Sequence, residues 1–258
     1  MKGYFLELNR IYNESCLDGI NKIDFPIHLV ITSPPYNVDL GNNKLYKRKY
    51  DLYEDNMPLD KYLGFIESAF CDVYKKQEDD GRICINIGSL KNGEIPMDSY
   101  YITLMEKIGY HSYTRIVWNK HQVGNRTSWG SFNSPSCPSF PVPFEHILCF
   151  YKSSKKLLRK GVSDLEKQEF IDWSLSLWTF PPETSMRRIG HPAMFPEELP
   201  KRLIKMFSYV GDNVLDPFSG AGTTCLVAKK LKRNFIGFEI SPEYVKISEE
   251  RLKGVENV

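Results

Sequence analysis

Hydrophobic positions along the chain fall into two alternating kinds of run. Short apolar stretches bounded by turn residues predict strands at Ile27–Thr32, Gly81–Ile87, Tyr113–Trp118, His146–Tyr151, Asn213–Asp216 and Asn234–Glu239. Apolar residues three and four apart predict helices. One carries Leu59, Tyr62, Leu63, Ile66, Phe70 and Val73 behind Pro58, and another runs from Ser99 to Ile108. Three more follow, one marked by Leu199, Leu203, Ile204 and Phe207, then Gly222–Leu231 and Pro242–Leu252. The alternation predicts an α/β sheet with both faces covered. Three polar stretches interrupt it. Asn37–Asn56 holds Lys44, Lys47, Arg48 and Lys49 and reads as a basic loop. Gln122–Pro143 is rich in Gly, Ser, Pro and Asn, and Lys152–Thr184 opens with Lys152, Lys155, Lys156, Arg159 and Lys160.

Composition narrows the class. The 258 residues are enough for one large buried core. Lysine and arginine number 34 against 32 acidic residues, a net charge of +2, which excludes a polycation but leaves room for a local basic patch. No apolar run approaches the roughly 18 residues of a membrane span. Glu7 and Arg10 come too early for a signal peptide. The cysteines (16, 71, 84, 137, 149, 225) form no CxxC pair and the histidines (28, 111, 121, 146, 191) no HxxxH. That predicts reduced thiols in a cytoplasmic protein, with no disulfide framework and no metal site.

Two loops carry candidate chemistry. In the first, Val214-Leu215-Asp216-Pro217-Phe218-Ser219-Gly220-Ala221-Gly222-Thr223-Thr224 reads strand, glycine turn, helix. Gly220 and Gly222 let a ligand approach the backbone, and Glu239 at the next strand end can accept both hydroxyls of a ribose. Such a loop also serves as a plain strand-to-helix turn. The third glycine of a dinucleotide fingerprint is missing, and so is the lysine of a phosphate loop. An acidic, lysine-free pocket with Asp216 at its floor suits a cationic adenosine compound, and S-adenosylmethionine is one.

In the second loop, Thr32-Ser33-Pro34-Pro35-Tyr36-Asn37 also ends a strand, where open α/β sheets bind ligands. Two prolines hold a backbone carbonyl and the Ser33 hydroxyl rigidly, and Tyr36 adds a flat face. An exocyclic amino group on a base needs such acceptors and such a platform. A Pro-Pro turn with Tyr36 packed on it would look the same.

Taken together, Ser33-Pro34-Pro35-Tyr36 and the Asp216–Thr224 loop resemble the amino-group DNA methyltransferases that use S-adenosylmethionine. The catalytic motif precedes the cofactor motif by about 180 residues, the family's beta order. His191-Pro192-Ala193-Met194-Phe195-Pro196 and Glu145–Lys152 resemble further family segments, so the likeness runs from about Asp18 to Leu252.

The resemblance implies a Rossmann-like, circularly permuted, mostly parallel seven-stranded sheet with one reversed strand. It implies a catalytic half over residues 1–121 and a cofactor half over 185–258 of the same domain. Between them, 122–184 would hold the last catalytic-half strand and a small target recognition region. Ser33, Pro34, Pro35 and Tyr36 are then catalytic. Cofactor contacts fall to Thr32, His191, Pro192, Phe195, Asp216, Pro217, Phe218, Ser219, Gly220, Gly222, Thr223, Thr224 and Glu239.

The substrate it implies is duplex DNA with the target base flipped out. Ser33, where many members carry Asp, favours the N4 of cytosine over the N6 of adenine. An RNA or protein amide methyltransferase is the more distant alternative, and a DNA-binding module with a vestigial pocket the non-enzymatic one. DNA phosphate contacts are expected from Lys44, Lys47, Arg48, Lys49, Lys120, Arg126, Lys155, Lys156, Arg159 and Lys160. Base reading is expected among Gln122, Asn125, Ser128, Asn133 and Ser136. Arg187 and Arg188 adjoin the cofactor segment. Core packing is the expected role of Trp129, Trp173 and Trp178. A restriction endonuclease of matching specificity and a homodimer complete the expectations, with no membrane partner.

Overall fold

The structure is a computed structural model that describes residues 5–37, 56–121, 130–183 and 194–255. In chain order its elements are β1 (Arg10–Tyr12), α1 (Cys16–Gly19), β2 (Ile27–Thr32), α2 (Leu59–Lys76), β3 (Gln77–Ile87), α3 (Met97–Ile108), β4 (His111–Asn119) and β5 (Phe144–Tyr151). After these come α4 (Lys167–Trp173), β6 (Leu177–Thr179), α5 (Glu198–Phe207), β7 (Asn213–Asp216), α6 (Thr223–Lys230), β8 (Asn234–Phe238) and α7 (Pro242–Lys253).

One sheet of eight strands runs β1-β8-β7-β2-β3-β5-β4-β6. Every neighbouring pair is parallel except those made by β5, which runs against β3 and β4. The single reversed strand is as expected, and among the described residues the sheet has eight strands where seven were expected. The two outermost strands, β1 and β6, are edge pieces of three residues. β6 buries Trp178 and exposes Leu177 and Thr179, and β1 buries only Ile11. Three residues with one buried side chain give no readable alternation.

The helices cover both faces. On one side α2 turns Tyr62, Ile66, Ala69, Phe70 and Val73 inward, where they meet Met97, Tyr101, Leu104 and Met105 of α3. The Tyr62 and Tyr101 hydroxyls satisfy each other at 2.7 Å inside this layer. On the other side Leu199, Leu203, Ile204 and Phe207 of α5 pack with Cys225, Val227 and Ala228 of α6 and Val245 of α7. Trp173 and Trp178 are buried in that second layer, as expected.

Two further differences have physical causes. β3 starts at the polar Gln77-Glu78-Asp79-Asp80 because Ile27 pairs with Gln77 and Arg159 buries Asp80. α4 lies in the polar stretch Lys152–Thr184, where no helix was expected, and its start is fixed by a capping box in which Glu166 and Glu169 bond each other's backbone.

The pairing of β2 with β7 matters most for function. Leu29 lies opposite Val214 and Val30 opposite Leu215. This register sets the ends of two parallel strands side by side, so the loops that follow them leave the sheet together, at the edge where such sheets take ligands.

Candidate active site

The loop after β7 is built on backbone that only glycine adopts without strain. Gly220 and Gly222 have φ of 51° and 74°. At Gly222 a Cβ would also lie 2.7 Å from the Ser248 Cβ, so α7 packs directly on the turn. The Phe218 N–H donates to Asp216 Oδ1 at 3.1 Å and the Gly222 N–H to the Ser219 carbonyl at 2.8 Å.

Asp216 is fully buried at the floor. Burial lifts its carboxyl to about 6, against hydrogen bonds from Thr224, Thr32 and the Phe218 N–H that pull it down. Thr32 Oγ1 donates to Asp216 Oδ1 at 2.8 Å across the β2–β7 seam. Glu239, just past β8, accepts the Gly220 N–H at 2.9 Å and the Ser241 N–H at 2.8 Å. Burial raises its carboxyl too, while those two N–H groups oppose the rise.

The cleft between the loops is lined by Ser33, Pro34, Pro35 and Tyr36 on one side and by Asp216 to Ala221, Thr223 and Glu239 on the other. Phe65, Met194, Phe195, Phe238, Ile240 and Tyr244 supply apolar wall, and Glu14, Ser15 and Cys16 complete the rim. Ser219 Oγ is buried with no hydrogen-bond partner among the described residues. An orphaned hydroxyl there costs stability unless a ligand meets it.

Expected cofactor residues therefore divide. Phe195, Asp216, Pro217, Phe218, Ser219, Gly220, Thr223 and Glu239 face the cleft. Thr32, Thr224 and Gly222 do not line it. The two threonines act through Asp216, and Gly222 permits the turn. His191 and Pro192 lie outside the described residues. Glu14, Ser15, Cys16, Phe65 and Tyr244 escaped sequence reading. The N-terminal three arrive because Asn13 Nδ2 donates to the carbonyls of Glu239 and Ile240, each at 2.9 Å. Burial pushes the Cys16 thiol up to about 12, which removes it as a nucleophile.

The Ser33–Tyr36 loop continues into a polar network. Ser33 Oγ donates to the Tyr36 hydroxyl at 3.3 Å, and Asn86 Nδ2 reaches the same hydroxyl at 3.4 Å. Asn86 Nδ2 also donates to Glu145 Oε2 at 2.6 Å, while Glu145 Oε1 is ion-paired with Lys120. Asn86 ends β3, Glu145 begins the reversed β5 and Lys120 follows β4, so all three gather at the pocket end of the sheet.

The second basic run lies apart from the cleft. It follows β5, which runs the opposite way, and so lies at the end of the sheet away from the cleft. Arg159 forks between Asp80 and Asp212, bonding Asp80 Oδ1 at 2.6 Å and Asp212 Oδ2 at 2.5 Å, and works as a structural clamp. Lys155 sits 5.0 Å over the Tyr113 ring. Lys155, Lys156, Arg159 and Lys160 thus do not border the pocket. Lys120 does share its end of the sheet, and Asn133 and Ser136 are exposed in the turn after β4. Lys44, Lys47, Arg48, Lys49, Gln122, Asn125, Arg126, Ser128, Trp129, Arg187 and Arg188 lie outside the described residues.

Comparison with known proteins places this geometry. The DNA methylase family of N6- and N4-type enzymes matches residues 27–250, and the chain belongs to that family. The Type II methyltransferase M.MjaI of Methanocaldococcus jannaschii is 33% identical over 89% of this chain and 86% of its own length. M.MjaVI of the same organism is 37% identical over 65% of this chain and 84% of its own. TTHA0409 of Thermus thermophilus, described as a DNA modification methylase and solved with S-adenosyl-L-methionine, superposes with a TM-score of 0.72. It is 27% identical and the match covers 95% of this chain and 93% of that one.

S-adenosylmethionine is the cofactor of this family, and the cleft fits it. Glu239 offers a carboxylate to a ribose, Asp216 a buried negative charge to a cation, and Ser219 an unused hydroxyl to a polar end.

Proposed function

We propose that the protein methylates the exocyclic N4 of a cytosine flipped out of duplex DNA, at a specific sequence. The observation that carries this reading is Ser33, a neutral acceptor that heads the Ser33–Tyr36 loop on the wall opposite Asp216.

When bound, S-adenosylmethionine supplies a methyl group on positively charged sulfur. The chain's own contribution is placement. Tyr36 offers its ring as a platform for the flipped base. Ser33 and the Pro34 carbonyl accept the hydrogens of the amino group and turn its lone pair toward the cofactor side of the cleft. Pro34 and Pro35 keep that geometry stiff. Holding two reactants at attack distance supplies most of such a rate enhancement. Glu239 and Asp216 hold the donor in register with the base.

DNA affinity in this reading comes from phosphate contacts, with Lys120 at the pocket end of the sheet and, from the sequence, Lys47, Arg48, Lys49 and Arg126 as the candidates. The turn at 130–143, which exposes Phe132 and Phe140, is assigned to target recognition within 122–184. A nuclease cutting the same sequence is the natural partner.

Nucleoside mass spectrometry tests the proposal. Mixed-sequence duplex DNA is incubated with the protein and S-adenosylmethionine and digested. N4-methylcytosine is the expected product. N6-methyladenine would keep the reaction class and refute the use of Ser33 to choose the base.

A further inference from the structure

The mechanism above leaves Asn86 and Glu145 without a role, yet their placement is costly. Asn86 is 3% exposed and Glu145 9% exposed, both at the pocket end of the sheet. The Asn86 carboxamide has one possible orientation, because a carboxylate only accepts. Its nitrogen faces Glu145 and its oxygen is left buried, with no hydrogen-bond partner among the described residues. An apolar side chain would avoid that penalty, so the position is not optimised for folding. What the nitrogen gains is a second reach, to the Tyr36 hydroxyl at 3.4 Å.

The directions of the bonds are informative. Lys120 and Asn86 both donate to Glu145, and Asn86 and Ser33 both donate to the Tyr36 oxygen. A serine that gives its own hydrogen to Tyr36 keeps its lone pairs for an incoming amino group. A serine that loses this acceptor can turn its hydrogen toward the amine and repel it. Asn86 cannot pass a proton onward, since its nitrogen donates in both contacts, so the network positions and does not relay.

We propose that Asn86, held by the Glu145–Lys120 ion pair, is a positioning residue for methyl transfer: it fixes the Tyr36 hydroxyl as the acceptor for Ser33 and so leaves Ser33 free to accept from the target amino group. This rests on the reading of Ser33 and Tyr36 given above.

A double-mutant cycle on DNA methylation by the full chain tests it, with Asn86→Ala, Tyr36→Phe and the pair. Tyr36→Phe keeps the ring and the fold and removes only the hydroxyl. Each single change is expected to lower kcat roughly five- to tenfold, the scale of one hydrogen bond, with cofactor Kd unchanged. The double variant is expected to fall no further than either single one, because Asn86 acts through the hydroxyl. Full kcat in Tyr36→Phe overturns the proposal, even if Asn86→Ala fails to fold. So do losses that multiply, or an Asn86→Ala variant whose defect lies in cofactor Kd. Absence of DNA methylation by the wild type would instead overturn the underlying functional reading, so the two failures are distinct.

Discussion

Asp216→Asn separates what the pocket floor does for folding from what it does for binding. Burial raises the carboxyl from 3.8 to about 6. At about 1.4 kcal/mol per pH unit, keeping it ionised at neutral pH costs the fold about 3 kcal/mol. The folded acid holds its proton more tightly than the unfolded chain does. This group's effect is therefore absent below about pH 4, and stability falls as pH rises from there to about 6 and then levels off. Asparagine retains an acceptor oxygen for Thr32 and the Phe218 N–H and carries no charge.

The variant is accordingly expected to be more stable than the wild type at pH 7, by up to about 3 kcal/mol or roughly 6–10 °C in Tm. The gap should close toward pH 4. Cofactor affinity should move the other way. In the wild type, Kd for S-adenosylmethionine should rise about tenfold from pH 7 to pH 5 as Asp216 takes up its proton, and in Asp216→Asn it should be weak and flat over that range. Scanning calorimetry and titration calorimetry across pH measure both. A variant no more stable at pH 7, or a stability gap indifferent to pH, refutes the argument that burial of this charge is tolerated for binding.

Glu239→Ala should weaken cofactor binding by tenfold or more, since it removes charge-assisted hydrogen bonds to the ligand, and titration calorimetry reads this directly. Arg159→Met strands Asp80 and Asp212 and should cost on the order of 3–5 kcal/mol in urea unfolding, with KM for DNA unchanged in the folded fraction. A loss of DNA affinity at unchanged stability would return that residue to the DNA interface. Gly222→Ala forces a side chain onto φ of 74° and against Ser248. It should destabilise by more than about 1 kcal/mol in the same unfolding assay and lower cofactor affinity with it.

Both functional loops were legible because their chemistry is local. Each is a contiguous run whose prolines or glycines announce a fixed backbone. The central strands were legible for a similar reason, since Ile27–Thr32 and Val214–Asp216 are apolar enough to be read without their neighbours. What escaped depends on partners distant in sequence. Asn86 and Glu145 are inconspicuous in the chain and become a unit only because β5 runs backward beside β3. Glu14 reaches the pocket through Asn13, which bonds residues more than two hundred positions away. The place of the basic run after β5 was hidden for the same cause. Charge is visible in sequence, but the end of the sheet it occupies follows from the direction of a strand, and that direction is not written locally.

The β2–β7 seam has a consequence for how the protein is made. During synthesis β2 emerges nearly two hundred residues before the strand that pairs with its other side. Until β7 and β8 leave the ribosome, the nascent chain carries an unpaired edge of Leu29, Val30 and Ile31, all buried in the finished sheet. Open apolar edges of this kind recruit other strands. Neither the pocket nor the middle of the sheet can close until the last fifth of the chain is available. Chains truncated before Asn213 should therefore aggregate rather than persist as a folded catalytic half, and the final segment should act in trans as the strand that rescues them.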